Sequence, residues 1–219
     1  MDSDRPSLIS IVVPIRDESG DALGALERLA SCARTELVVA RAAQGSRGAC
    51  LARAAERARG DALFFVHADS RPPENAIELI RESLAGGAAA GAFSLAYESA
   101  DRRLRWVAWW ANVRSRLLRL PFGDQGLFCR REAYEAAGGF RDLPVCDDLD
   151  LVRRLKRAGP FVVRRERTVT SPRRYLERGP FKQVLLVWRV VIGYYLGISP
   201  ETLGAWYYGP KPRLPGSRS

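Results

Sequence analysis

Short runs of consecutive apolar, largely β-branched residues alternate with stretches of helical periodicity through the first half of the chain. Residues 8–13, Leu-Ile-Ser-Ile-Val-Val, form such a run, halted by Pro14, and read as a strand buried on both faces. Residues 21–33 then have helical composition. Residues 36–40 repeat the strand signal, and residues 46–59 place Leu51, Ala54, Ala55 and Ala58 on one helical face, leaving Arg47, Arg53, Arg57 and Arg59 for the others. Gly60-Asp61 breaks that helix, and residues 62–66 are a third apolar strand. Pro72-Pro73 opens a helix running to about residue 84, with proline at a tolerated first-turn position. This alternation predicts an α/β fold with a mainly parallel sheet flanked by helices, in which ligands bind beyond the carboxyl ends of the strands. Those ends are residues 14–18, 40–46 and 67–71.

The pattern changes in the second half. Residues 90–98 alternate like a sheet strand, 102–120 form a helix rich in arginine and tryptophan, and 125–130 make another strand. A helix over 147–158 and strands near 161–165 and 168–171 complete an expected domain over residues 1–180. Residues 181–196 are strongly apolar but interrupted by Lys182, Gln183 and Arg189. A spanning helix needs roughly 20 apolar residues, so 181–208 is expected as amphipathic helices lying on the domain or on a membrane surface. Residues 209–219, rich in Pro, Gly and charge, are expected to be a disordered tail.

Composition narrows the partner. Of the 35 basic residues all but Lys156, Lys182 and Lys211 are arginine, and the formal net charge is +10, so an anionic partner is expected. A guanidinium fork suits a nucleotide diphosphate, a nucleic acid or an anionic headgroup equally well. No RNP aromatic motif, Cys/His finger spacing or basic region leading into heptads occurs, so no nucleic acid is expected. Cys32, Cys50, Cys129 and Cys146 form no C-x-x-C pair and read as reduced thiols. The first residues carry no secretory pattern. The expected setting is the cytoplasm, extending to a peripheral place on the inner face of the membrane.

Candidate chemistry gathers at the strand ends. His67-Ala68-Asp69 closes the third strand with two metal-ligand types at i and i+2, which an extended chain points the same way. A turn before Pro72-Pro73 is the competing explanation of Asp69-Ser70. Asp147-Asp148 opens the helix over 147–158, where the helix dipole and capping alone favour acids. Gly123-Asp124-Gln125-Gly126 could be simply a tight turn. Arg47, at a helix start, could meet a phosphate beside free backbone N–H groups, and Arg173 and Arg174 could grip a diphosphate bidentately.

Taken in order, these segments resemble family 2 glycosyltransferases. The opening strand running through Pro14, Arg16, Asp17 and Glu18, the variant metal motif at His67-Ala68-Asp69, the passage from Gly123 to the Gly138-Gly139-Phe140 turn, Asp147-Asp148 before its helix, and Ser171-Pro172-Arg173-Arg174-Tyr175 each have a counterpart there. The likeness covers about residues 9–208 and is nearest to a small bacterial subset with His-Ala-Asp and Gly-Asp-Gln motifs. It implies a GT-A fold, with one βα unit fewer before the metal motif, and inverting transfer from a nucleotide-sugar donor to a glycan or lipid hydroxyl. It further implies a divalent Mn or Mg ion at Asp69 and His67, and donor contacts from Pro14, Arg16, Glu18, Arg47, His67, Asp69, Arg173 and Arg174. Asp124 and Gln125 would face the acceptor, and Asp148 would be the general base with Asp147 beside it. The likeness breaks at Val39-Ala40-Arg41, where the family places an aspartate for the donor's base. A catalytically silent GT-A-like protein holding a phosphorylated ligand, or an arginine-rich module at a membrane surface, are the alternatives.

Overall fold

In the computed structural model, residues 6–15, 20–41 and 45–209 are described. Arg16, Glu18 and residues 210–219 lie outside the described residues.

Strand β1 (Ile9–Ile15) is buried from Ile9 to Val13 and sits between β2 (Thr35–Arg41) and β3 (Ala62–Phe65), parallel to both. Helices α1 (Gly20–Ala30) and α2 (Arg47–Arg57) make the crossovers that parallel neighbours require. Alternate side chains of β1 enter opposite layers, which is why its apolar run is continuous. Ile9, Ile11 and Val13 pack with Leu26 of α1 and with Ile77, Ile80 and Leu84 of α3 (Ala76–Ala85). Val12 joins Leu51, Ala54 and Ala55 of α2 and Leu151 and Leu155 of α6 (Asp147–Ala158) on the other side. Pro14 does not end β1, because it sits in register opposite Ala40 within the strand pairing.

The described residues form one seven-stranded sheet in the order β2-β1-β3-β6-β5-β7-β4. Strand β6 (Leu127–Arg130) runs antiparallel to both β3 and β5 (Ala90–Tyr97), while β7 (Phe161–Thr170) is parallel to β5. The sheet is thus mostly parallel and flanked by helices, a Rossmann-like GT-A arrangement. The two strands expected at 161–165 and 168–171 are one, since a register shift opposite Ala92 and Ser94 breaks the alternation without breaking the pairing. Two-residue β4 (Ser70–Arg71) pairs with the end of β7. Helix α3 starts at Ala76 and not at Pro72, because a residue before proline is steered out of helical conformation.

Helices α4 (Arg102–Leu118), α5 (Arg131–Ala136) and α7 (Arg173–Arg178) complete the domain; the sequence reading anticipated only the first. The apolar segment after residue 180 forms a hairpin of α8 (Pro180–Tyr195) and α9 (Pro200–Tyr208). It docks through Val190 and Leu203 on Val145, just ahead of α6. No helix among the described residues is long and apolar enough to cross a membrane.

Close sheet packing depends on Gly91, where an added Cβ would lie 2.7 Å from the Val162 carbonyl and drive into the Phe128 ring. Gly91→Ala should destabilise the protein by about 1–3 kcal/mol, seen as a lower urea midpoint with an unchanged m value.

Candidate active site

Strands β1, β2 and β3 all point their carboxyl ends the same way, and there Pro14, Arg47 and His67 meet Asp148 of α6. The junction is built on Arg47. As the first residue of α2, it follows the N-cap Ser46, whose hydroxyl accepts from the Ala49 N–H and whose own N–H reaches Asp142. From there Arg47 holds Asp147 with two parallel bonds, Nε to Oδ2 at 3.0 Å and Nη2 to Oδ1 at 2.7 Å. Gly48 permits the approach, since a Cβ there would collide with the Arg141 carbonyl. Nη1 of Arg47 meets His67 Nε2 at 2.8 Å, and Nη2 stands 3.3 Å from Asp148. Burial opposes the charge on Arg47, but Asp147 and Asp148 outweigh it and hold its proton more tightly than usual.

Asp148 is gripped by backbone. Gly123 N–H donates to Oδ2 at 2.6 Å and Leu149 N–H to Oδ1 at 2.7 Å. Burial pushes this carboxyl up, but Arg47 and the two N–H groups prevail and leave it below the ordinary carboxylate range. Asp147 moves the other way, raised by burial against the pull of Arg47. Capping describes only part of the pair: Cys146, in a left-handed conformation, occupies the N-cap, and Asp148 accepts from the first-turn Leu149 N–H, but Asp147 is turned to Arg47 and Asp148 also binds the Gly123 N–H. His67 is neutral, its pKa brought down to about 3 by burial and then by Arg47. Its Nε2 accepts from Arg47, so its proton belongs on Nδ1. Glycine at 123 leaves the gap between the two open, because a Cβ there would be 2.9 Å from His67 Nε2 and 3.0 Å from Asp148 Oδ2. Pro14 lines the same crevice.

A second cluster adjoins the first. Asp124 is half-buried, its Oδ1 is shut off from solvent without a hydrogen-bond partner, and its carboxyl is pushed up to about 6 by burial, with Arg114 opposing and Asp148 and Asp69 adding to the rise. Arg114 stacks 3.6 Å over Phe122 and donates to the Leu120 carbonyl. Tyr97 and Tyr175, their rings 5.1 Å apart, stand beside Asp124, and burial raises both hydroxyls, Tyr175 to about 12. Sequence reading missed Arg114, Tyr97 and Tyr175. Each occupies an ordinary amphipathic position, and only Tyr175 adjoined a motif.

Several expected contacts need correction. Gln125 does not face an acceptor: it is fully buried, Oε1 accepting from Ser115 Oγ and Phe122 N–H and Nε2 donating to the Phe93 carbonyl. It latches its turn to β5 and α4. Arg47 is no open phosphate ligand, since its guanidinium already faces three site residues. His67 has its Nε2 occupied by Arg47 and offers a cation nothing from that atom. Arg173 pairs with Glu177 on the outer side of α7, whereas Arg174 reaches Tyr207 Oη at 3.5 Å and lies near enough to lower the pKa of His67. Asp69 is exposed at the mouth, its carbonyl accepting from Ser171 N–H at 3.2 Å.

No group of three His, Cys, Asp or Glu side chains among the described residues already stands together as a metal cage. Asp124 nevertheless fits a cation. It carries an orphaned buried oxygen on a carboxyl raised first by burial and then by Asp148 and Asp69, and hard oxygen donors suit Mn or Mg.

Comparison with protein-family models and with curated protein sequences gave no match. Among solved structures the chain resembles a mannosyltransferase of Pyrobaculum calidifontis, PcManGT, solved with GDP-Man and Mn2+, at 14% identity and TM-score 0.61, covering 86% of this chain and 62% of that one. It also resembles S. aureus TarS 1-349, solved with UDP-GlcNAc, at 11% identity and TM-score 0.56, covering 75% and 58%. Drosophila β1,4-galactosyltransferase 7, solved with xylobiose, follows at 14% identity and TM-score 0.50, covering 72% and 64%. The chain spans less than two thirds of each. These likenesses show a glycosyltransferase-type GT-A fold.

Asp124 gives the site a measurable pH dependence. Its native pKa of about 6 lies above the ordinary 3.8, so its contribution to stability is full below 3.8 and lost as pH rises through 6. The cost at pH 7.5 is on the order of 2–3 kcal/mol. Asp124→Asn should therefore raise the thermal midpoint at pH 7.5 by several degrees and flatten its fall between pH 4 and 7, as read by scanning fluorimetry.

Proposed function

We propose that the chain is an inverting glycosyltransferase moving a sugar from a nucleotide-activated donor to a hydroxyl of a glycan or lipid acceptor. The observation that supports this most is the meeting of Asp148, His67 and Asp124 beyond the carboxyl ends of β1 and β3, on a fold shared with proteins solved with nucleotide sugars.

In this reading Asp148 accepts the acceptor hydroxyl's proton as that oxygen bonds to the anomeric carbon from the face opposite the leaving group. The carbon–oxygen bond to the nucleoside diphosphate breaks, and the diphosphate departs with the electron pair. Asp148 is ionised at neutral pH because Arg47 and the N–H groups of Gly123 and Leu149 overcome its burial, which keeps it in the base form while lowering its basicity. Asp147 acts through Arg47, fixing the base helix against α2. Asp69 and Asp124 would hold the Mn or Mg ion, which when bound would offset charge on the departing diphosphate. Arg174, near enough to lower the pKa of His67, and Pro14, which lines the crevice, would face the donor.

One observation favours the second reading, a silent GT-A-like binder of a phosphorylated ligand, and it bears on the silence alone. The Arg47 guanidinium stands 3.3 Å from Asp148 and weakens that carboxylate's hold on a proton. Titration of the protein with a panel of nucleotide sugars, with and without Mn, separates the two. The enzyme reading expects metal-dependent binding that Asp69→Ala abolishes. It also expects Asp148→Asn to bind donor within about threefold of wild type while turnover falls by ~100- to 10,000-fold. Metal-dependent binding with no transfer or donor hydrolysis in the wild type would leave only the silent binder.

A further inference from the structure

Two helices carry a wide apolar face that nothing among the described residues covers. On α4, Trp106, Trp109, Trp110 and Leu117 recur at helical spacing on one side and all are exposed, Leu117 at 77%. On α8, Phe181, Leu185, Trp188 and Ile192 do the same, Leu185 at 70%, and Leu196 follows the helix end. The helices lie side by side in the same direction, because Trp106 meets Phe181 at 5.9 Å near their starts, while Leu118 and Ile192 line one groove near their ends. The two stripes thus merge into one surface roughly 17 Å long at 1.5 Å per residue. Soluble surfaces rarely leave so many large apolar side chains together without an occupant.

The groove between the helices has a volume of about 310 Å³ and is apolar apart from Arg114, with Leu118, Leu120, Phe122, Leu149, Trp188 and Ile192 among its walls. It ends against the candidate site: Phe122 precedes Gly123, whose N–H holds Asp148, and Leu149 follows Asp148. Around the face stand exposed cations, Arg102, Arg105, Arg116 and Arg119 on or after α4 and Lys182 and Arg189 on α8. Neither helix can span a bilayer.

Tryptophan and leucine on one side with a cationic border is the chemistry of a surface lying in the headgroup boundary of an anionic membrane. A second copy fits poorly, because two chains of net charge +10 would bring like-charged rims together. We infer that the α4–α8 face is a docking surface for an anionic lipid bilayer and that the groove receives one hydrocarbon chain of a bilayer lipid. Resting on the transferase reading, this makes the acceptor a membrane lipid whose polar end is delivered to Asp148 along the groove wall.

All five tryptophans lie in α4, α8 and α9, so fluorescence reads the surface directly. The full chain is floated with vesicles of phosphatidylcholine alone or with 30% phosphatidylglycerol, plain or carrying dibrominated acyl chains; about tenfold more protein should float with the anionic vesicles. Emission should shift to the blue and be quenched by bromine. Trp109→Glu with Leu185→Glu should lose at least about tenfold of this binding at an unchanged thermal midpoint. With Trp188 as the sole tryptophan and the others phenylalanine, quenching should persist, since Trp188 lines the groove. Absence of flotation, equal flotation of the double variant, or flotation without bromine quenching would overturn the docking surface, and an unquenched Trp188 would overturn the groove. A concentration-dependent dimer that the double variant dissolves, without vesicle binding, would assign the face to a second copy. Failure of donor binding with flotation intact would sink the transferase reading alone.

Discussion

The bidentate ion pair between Arg47 and Asp147 joins two helices whose residues are 100 positions apart in the chain, and the arrangement of the site depends on it. Removing one partner of a fully buried pair costs about 3–5 kcal/mol because the other is left charged and unpaired; with Asp147 4% but Arg47 29% exposed, the cost of losing Asp147 falls below that range. The pair does more than hold α2 to α6. It fixes the first turn of α6 so that Asp148 meets the Gly123 N–H, and it aims Nη1 at His67, setting that ring's tautomer and keeping it neutral.

The charges around this pair have a consequence. Arg47 cancels Asp147, and Arg114 opposes Asp124, which leaves Asp148 and the exposed Asp69 as negative groups at the mouth. A diphosphate approaching them would meet repulsion that Arg174 alone, one exposed guanidinium, would only partly offset. Under the proposed transfer a dication would reconcile the two, and the unpartnered oxygen of Asp124 would be one of its ligands. The raised pKa of Asp124 comes first from burial and only then from Asp148 and Asp69, so a cation would relieve the second part alone.

How far the sequence disclosed this follows from burial. Strands β1 and β3 are buried on both faces and edge strand β2 is half-buried against the same two layers, so their apolar runs and the helices between them could be read directly, and with them the strand-end positions of Pro14 and His67. Direction beyond β3 could not be read, because nothing in residues 127–130 records that β6 runs antiparallel. Strand β4 exists only through pairing at the far end of β7 and has no pattern of its own. Asp148 was legible through its helix start and the resemblance around it. The partners of Arg47 were not, since a buried clamp and a solvated helix arginine look alike in one sequence. Gln125 was misread for the same reason: a glutamine beside an active-site turn can serve a ligand or lock the turn, and only its bonds to Ser115, Phe122 and Phe93 decide.

The helices bearing the apolar face are the same ones that brace the site, which ties position at a surface to chemistry. Asn112, on α4, pairs with both the N–H and the carbonyl of Leu95, acting as a short strand partner to β5. Ser115, one helical turn on, holds Gln125 beneath the Gly123 turn. On α8, Tyr194 donates to Asp150 at 2.9 Å, two residues beyond Asp148 and already paired with Arg154. Displacing either helix would therefore strain a contact to the turn that carries the Gly123 N–H or to the helix that carries Asp148. Because these links are hydrogen bonds to buried groups, they fail abruptly when stretched. A lipid surface seating α4 and α8 together would hold both supports of Asp148 in register, giving the outward tryptophans a mechanical reason to lie on the same elements as the inward polar anchors.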